Sequence, residues 1–269
     1  MDWLEILTET TQHIKAVVTP LIKTPIAQKT YGMGAGGDPK KYIDLQAEKA
    51  LIETLNEHNL NFTLISEETG TKHYGPNPTY YVTTDPIDGT TNTLRGIPFA
   101  CTSIAISKTP RLDAIQAAAV ADLFHDATYL AQKNLGAYRN YQKITPTQTT
   151  SLAEAVIGID LNTYKVAELS TKLNQLLTQT KHTRHLGANA LELCYVADGT
   201  TDAFIDIRGK LRTTDIAAAT FIIREAGATI TTPQNTPLTN PLSPTEKVSF
   251  IATGNTSLHQ TILKTLKKA

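Results

Sequence analysis

The sequence predicts an α/β protein in two parts, an α+β half over residues 1–145 followed by an α/β half over residues 146–269. Three observations carry this expectation. Two stretches with apolar residues at helical spacing open the chain. Short β-like runs cluster between residues 62 and 132, and beyond residue 150 strand-like and helix-like segments alternate. A length of 269 residues is enough for one large or two modest domains with a sizeable core.

In order along the chain, Trp3, Leu7, Ile14 and Val18 recur near helical period until Pro20 stops the first helix. A Gly-rich loop follows from Tyr31 to Pro39. A second helix runs from about Asp44 to His58, with Ala47, Ala50, Leu51 and Leu55 on its apolar face. Strands are expected at 62–66, 79–84, 100–107, 115–120 and 127–132, each punctuated by turn-forming residues. After the Thr-rich stretch 145–151 the expected order is strand 155–159, helix 164–178, strand 182–186 and helix 188–197. Strand 201–207, helix 215–226, strands 228–232 and 248–253 and helix 257–268 complete it. Alternation of this kind favours a largely parallel sheet. Asn255-Thr256-Ser257 matches a glycosylation sequon but reads better as the cap of the last helix.

Composition narrows the function classes. Lys+Arg and Asp+Glu both number 25, so no broad electrostatic surface for nucleic acid or anionic lipid is expected. An anionic ligand must then be captured locally, by metal ions, helix ends or a few placed cations. Only Cys101 and Cys194 are present, which excludes a disulfide framework or a Cys-rich zinc site and fits a reducing compartment. An acidic, interrupted start and no apolar run near the roughly 20 residues that cross a bilayer point to a cytoplasmic protein without a membrane partner.

The most informative stretch is Thr84-Asp85-Pro86-Ile87-Asp88-Gly89-Thr90-Thr91-Asn92. It follows a β-like run, so the two aspartates are expected where a strand ends and a turn begins. Pro86 fixes φ and stiffens the bend, and Gly89 lets the backbone approach a ligand. If Thr90 opens a helical turn, free N–H groups there face an anion. Two carboxylates beside such a nest suit metal-assisted phosphoryl transfer. A solvated turn is the plain alternative for an Asp-Pro pair, and the longer string outweighs it. Its companions are Ser66-Glu67-Glu68-Thr69-Gly70, again at a strand end, and Leu211-Arg212-Thr213-Thr214-Asp215 running on to Arg224-Glu225-Ala226-Gly227. A third is Gly37-Asp38-Pro39-Lys40-Lys41-Tyr42-Ile43-Asp44. Taken alone, Asp215 is a helix N-cap and Asp44 a helix start.

Together these segments resemble the inositol monophosphatase superfamily of metal-dependent, lithium-sensitive phosphatases, over about residues 30 to 230 and in the family order. The 85–92 string matches the family signature without departure. Ser66 stands where the family has Gly, and Thr214 where it usually has Trp. That second change resembles the archaeal branch that acts on both inositol monophosphate and fructose 1,6-bisphosphate. The resemblance implies a five-layer αβαβα sandwich, a homodimer, and hydrolysis of a small sugar or polyol phosphate by direct attack of a metal-activated water. It implies a place in gluconeogenesis.

The resemblance also distributes roles. One Mg²⁺ falls to Glu67, Asp85 and the Ile87 carbonyl, a second to Asp85, Asp88 and Asp215, with room for a weaker third near Glu67 and Mn²⁺ as a substitute. Thr90 relayed to Asp44 resembles the activating pair, with Glu67 beside it. Gly89 and Thr90 amides hold the phosphate, and Gly187, Ala188, Asn189 and Asp206 meet the remainder of the substrate. Arg184, Arg208 and Lys210 are candidates for a second phosphate. Gly36, Gly37 and Asp38 belong to a mobile loop that closes over the metals.

Rivals are a bisphosphate nucleotidase of the same superfamily and a non-catalytic regulatory protein that keeps the fold. An aspartyl-phosphate phosphatase needs Asp-x-Asp, whereas the spacing here is i, i+3. The run from Gly32 to Gly37 satisfies G-x-G-x-x-G, yet lacks the strand before it and the helix within it that a dinucleotide site requires.

Overall fold

The computed structural model describes residues 2–162 and 169–267. Asp2 caps the first helix, α1 (Trp3–Val18), by accepting from the N–H groups of Leu4 and Glu5, and Pro20 lies in the short 3₁₀ turn that ends it. A hairpin of β1 (Thr30–Met33) and β2 (Pro39–Lys41) carries the Gly-rich segment at its tip and leads into α2 (Tyr42–Glu57). Then come β3 (Phe62–Ser66), β4 (Gly70–Tyr74), β5 (Tyr80–Asp88), the short helix α3 (Thr90–Arg95), β6 (Cys101–Ser107), β7 (Ile115–Asp122), β8 (Thr128–Gln132), β9 (Gly136–Arg139) and β10 (Gln142–Lys143). The remainder comprises β11 (Val156–Ile159), α4 (Leu169–Gln179), β12 (His182–Arg184), α5 (Asn189–Ala197), β13 (Ala203–Arg212), α6 (Thr213–Ala226), β14 (Thr229–Thr231), β15 (Lys247–Thr253) and α7 (Thr256–Lys267). The start of the expected 164–178 helix lies outside the described residues. Asn255 caps α7, its side-chain oxygen accepting from the N–H of Leu258 at 3.0 Å.

An eight-stranded sheet runs β10-β9-β8-β7-β6-β5-β3-β4, and every pair in it is antiparallel except β3 with β5. A five-stranded sheet runs β12-β11-β13-β15-β14. Its first two pairings are parallel and its last two antiparallel, so this sheet is mixed rather than largely parallel. The cause is the last connection: no crossover helix lies between β14 and β15, and the chain returns by a loop that reverses direction.

Three buried clusters define the layers. Leu7, Ile14, Leu51 and Leu55 of α1 and α2 pack on one face of the large sheet through Leu64, Val82 and Ile104. Its other face meets α5 and α6, where Leu191, Cys194, Ile216 and Ile223 share a core with Val120, Phe204 and Phe250. On the far side of the small sheet, Leu173 and Leu176 of α4 and Leu258 and Ile262 of α7 cover Ile157, Ile205 and Ile251. The order is helices, sheet, helices, sheet, helices, the αβαβα sandwich that the resemblance implies.

β1, β2, β4, β9 and β10 went unforeseen. β1 is exposed throughout, and β4, β9 and β10 are polar pieces at or next to a sheet edge, so none shows the alternation that marks a half-buried strand.

Candidate active site

Asp85 and Asp88 both belong to β5, which does not end in a turn at Asp85 as expected. Pairing with β6 passes from Asp85↔Ser103 to Asp88↔Cys101, so three steps on one strand face two on the other. In a regular strand, residues three apart point to opposite faces. The extra residue is a bulge that brings both carboxylates to the same side, and Pro86 has no N–H for the ladder to miss there. Gly89 follows at φ +89°, a conformation that suits glycine, and a Cβ there would press on the Phe99 carbonyl at 3.1 Å and on Ala188 Cβ at 3.2 Å.

Glu67 comes from the β3–β4 connection and Asp215 from α6. Both Asp44 and Asp215 are the third residues of their helices rather than N-caps. Asp44 accepts from Lys41 N–H at 3.3 Å and Asp215 from Arg212 N–H at 2.8 Å, which leaves the other oxygen of each carboxylate for other work.

Carboxylate oxygens of Glu67, Asp85 and Asp215 lie within 4.8 Å of one another. Asp88 stands beside them, its Oδ2 accepting from Ala190 N–H at 2.6 Å. Burial, then repulsion from Asp215 with only partial relief by Arg212, lifts Glu67 to about 8. Asp85 is pushed well up, first by burial and then by Glu67, Asp88 and Asp215. Asp88 rises to about 7, chiefly by burial. The Arg212 guanidinium is the resident counter-charge, with Nη2 2.6 Å from Glu67 Oε1 and Nε 3.2 Å from Asp215 Oδ1. One guanidinium against the three clustered carboxylates leaves two negative charges uncompensated when all are ionised. Such a set of hard oxygen donors fits Mg²⁺ or Mn²⁺ and not a thiolate-seeking metal.

Thr90 Oγ1 reaches Asp44 Oδ1 at 3.2 Å and the Ile87 carbonyl at 3.0 Å, which brings together the expected activating pair and the expected carbonyl ligand. Burial lifts Asp44 to about 7 against the opposing hydrogen bonds from Thr90 and Lys41. Ser66, where the resembling family has Gly, donates its Oγ to Glu48, and Glu68 N–H donates back to that Oγ at 3.1 Å.

The carboxylates open into a cleft of about 800 Å³. Gly36, Gly37, Asp38, Gly89, Thr90, Gly187, Asn189, Arg208 and Lys210 line it. Three expected residues are absent from its walls. Arg184 is exposed on edge strand β12 and donates to the carbonyl of its neighbour Thr183 at 2.9 Å. Asp206 is fully buried and is spent on Arg208, whose Nε it accepts at 3.1 Å. Ala188 is buried, its methyl packed toward Gly89. Arg208 is itself flanked by Asp160 as well as Asp206, with its side chain only 4% exposed, so its charge is already matched.

Several contributors went unseen in the sequence. Asn92 Nδ2 donates to the carbonyls of Phe99 and Leu186, both at 2.8 Å, tying α3 to the loop before α5. Glu192 Oε1 accepts from Gly187 N–H at 3.0 Å and fixes that loop. Lys247 reaches the cleft because β15 pairs Lys247 with Arg212. Lys247 carries no local signal because it acts across a long-range pairing, and the contacts of Asn92 and Glu192 appear only once their segments are folded. Arg212 alone had one: a buried-stripe helix opening with Arg three residues before Asp.

An acidic cage at the junction of a five-layer sandwich defines a class, the metal-dependent phosphoric monoester hydrolases. The chain belongs to the inositol monophosphatase family, whose model matches residues 2–269. It is 32% identical over 98% of its length to the fructose-1,6-bisphosphatase/inositol-1-monophosphatase of Methanothermobacter thermautotrophicus, covering 96% of that protein. To the enzyme of the same description from Thermococcus kodakarensis it is 34% identical, over 99% of this chain and 98% of the other. A solved inositol monophosphatase-fructose 1,6 bisphosphatase superposes with a TM-score of 0.86 at 29% identity, covering 98% of this chain and 100% of that one.

Proposed function

We propose that this phosphatase hydrolyses fructose 1,6-bisphosphate and inositol 1-phosphate with Mg²⁺ as its cofactor. The observation that carries the reading is the convergence of Glu67, Asp85 and Asp215 from three separate elements into one cage, with Asp88 beside it. Those four side chains and the Ile87 carbonyl would hold Mg²⁺, two ions with room for a third, and Mn²⁺ would substitute. When bound, the metal supplies positive charge that neutralises phosphoryl oxygens and lowers the pKa of water.

The chain's own groups do the remainder. Thr90 Oγ1, already directed at Asp44, takes the proton of the attacking water and passes its own to Asp44. A carboxyl held near 7 by burial exchanges protons in the working pH range. Gly89 and Thr90 amides face the phosphate, and Gly187 and Asn189, fixed through Glu192 and Asn92, orient the alcohol part of the substrate. Arg184 lies outside the cleft, and Lys210 and Lys247 stand on its wall, where a second phosphate would meet their positive charge. That supports a bisphosphate substrate beside the monophosphate.

The test is phosphate release from fructose 1,6-bisphosphate, inositol 1-phosphate and 3′-phosphoadenosine 5′-phosphate with Mg²⁺, with and without Li⁺, and again in excess chelator. Release from the first two that stops on chelation is expected. Silence on all three, or hydrolysis that persists in chelator, rejects the reading.

A further inference from the structure

Arg212 joins two sets of acceptors that lie far apart in the sequence. Toward the cage, Nη2 meets Glu67 Oε1 at 2.6 Å and Nε meets Asp215 Oδ1 at 3.2 Å. Toward the hairpin tip, Nη1 donates to the Gly36 carbonyl and to Asp38 Oδ2, each at 2.9 Å. The arginine side chain is 12% exposed whereas that of Asp38 is 71% exposed, so the fixed partner is the arginine and the docked one is the hairpin tip. Burial alone would lower the guanidinium's pKa, but Asp215, Glu67 and Asp85 hold it above its usual value, so it stays charged.

Gly36 shows that the tip is shaped to receive this group. A Cβ there would lie 2.8 Å from Glu67 Cγ and would overlap Arg212 Nη1. Backbone bonds complete the docking, from Gly36 N–H to the Glu67 carbonyl at 2.9 Å and from Ala35 N–H to the Glu68 carbonyl at 3.2 Å. Only a residue without a side chain lets the backbone come this close to both members of the Arg212–Glu67 pair.

We propose that Arg212 is a positioning residue that latches residues 34–38 onto the carboxylate cage, and that the latch and divalent-cation binding are energetically linked. The inference goes beyond the phosphatase reading and rests on it only where it invokes a cation in the cage. Guanidinium and cation draw on the same carboxylates of Glu67 and Asp215, and two positive charges so placed oppose one another. Linkage makes the effect mutual: cation binding loosens the latch, and the latch weakens cation binding.

The experiment is amide hydrogen exchange of residues 34–38 without metal or substrate, paired with calorimetric titration of Mn²⁺ into wild type, Arg212→Met, Arg212→Lys and Gly36→Ala. In Arg212→Met the amides of Ala35 and Gly36 are expected to exchange at least tenfold faster while β3 amides hold, and Mn²⁺ is expected to bind at least tenfold tighter. Arg212→Lys keeps the charge but cannot span four acceptors. It is expected to speed exchange and to tighten Mn²⁺ binding, though by less than Arg212→Met, which also removes the charge. Gly36→Ala is expected to speed exchange in the wild type and to add little in Arg212→Met. Unchanged exchange in Arg212→Met, equal or weaker Mn²⁺ binding there, or additive Gly36 and Arg212 effects would overturn the proposal. Should Arg212→Met fail to fold, Asp38→Asn and Gly36→Ala probe the latch from the hairpin side with the same two readouts. The exchange arm needs no catalysis, so it tests the latch even in a chain inactive on every phosphate ester.

Discussion

Replacing Asp85 by Asn removes one carboxylate from the cage while keeping its shape. Asn Oδ1 still accepts from Ile87 N–H, a bond of 3.1 Å in the wild type. The cage oxygens of Glu67, Asp85 and Asp215 lie within 4.8 Å of one another. Two unit charges that far apart repel by about 3.5 kcal/mol at an effective dielectric of about 20. Asp85 faces two such neighbours in Glu67 and Asp215. The full repulsion of about 7 kcal/mol is never realised, because the buried groups take up protons instead. A net gain of about 2 kcal/mol is expected for the metal-free variant at pH 8, about 5 °C in melting temperature for a chain of this size.

The sign follows from linkage. The folded-state pKa of Asp85 is raised far above its unfolded value, so its contribution is intact at low pH and lost as pH rises through the raised value. At pH 5.5 the gap should be narrower than at pH 8 but still open, because only below the ordinary aspartate value of 3.8 is the unfolded side chain protonated as well. Added Mg²⁺ should raise the wild-type melting temperature and leave the variant nearly unmoved. Thermal scans from pH 5.5 to 8, with and without Mg²⁺, decide the matter. A variant that melts lower than wild type at pH 8 without metal, or one stabilised by Mg²⁺ as strongly as wild type, refutes the electrostatic account of the cage.

Other expectations concern the same groups. Because Asp88 sits at about 7 and Glu67 at about 8, they hold protons that a cation must displace. Mg²⁺ affinity should therefore climb from pH 6 to 8 with release of at least one proton, read by titration calorimetry in buffers of differing ionisation enthalpy. A pH-independent affinity contradicts this. Thr90→Ala should lower kcat by about a hundredfold with little change in KM, since the hydroxyl serves proton transfer rather than binding. Asp215→Asn should abolish turnover while circular dichroism stays native. Ile262→Ala, a fully buried residue of α7 far from the cleft, should cost about 2–5 kcal/mol in denaturant unfolding and leave turnover per folded molecule unchanged.

What could be read from the chain alone follows physical lines. α1 and α2 were legible because Trp3, Leu7, Leu51 and Leu55 repeat with the helical period that burial on one face demands. β3 and β6 are buried at every residue and read as strands through their β-branched, aromatic and small residues, with Thr and Ser among them. The short edge strands were not legible, because a piece such as 70–74 contributes backbone pairing more than a buried side-chain row. Strand direction in the smaller sheet depends on how β14 and β15 are joined, which composition does not encode. In the site, Asp85 and Asp88 could be named because a string with Pro and Gly at set positions is locally specific, whereas Glu67 and Asp215 needed the family resemblance to single them out. Among the expected substrate residues that do not line the cleft, Arg184 was named for its charge and Asp206 for the resemblance. Arg184 and Asp206 have the right chemistry, but one sits on a sheet edge and the other neutralises a buried guanidinium.

The bulge in β5 imposes a constraint of counting rather than of chemistry. Exchange of Ile87 for another apolar side chain keeps three steps opposite two, and both aspartates stay on the cage side. Were the present three steps to pair with β6 one for one, without the bulge, Asp88 would turn through the sheet toward the apolar layer that holds Val82 and Ile104. Length and bulge thus go together at 86–87, since the present spacing serves the cage only while the extra residue stays out of the ladder. Insertions and deletions should be found instead in the connections that face solvent.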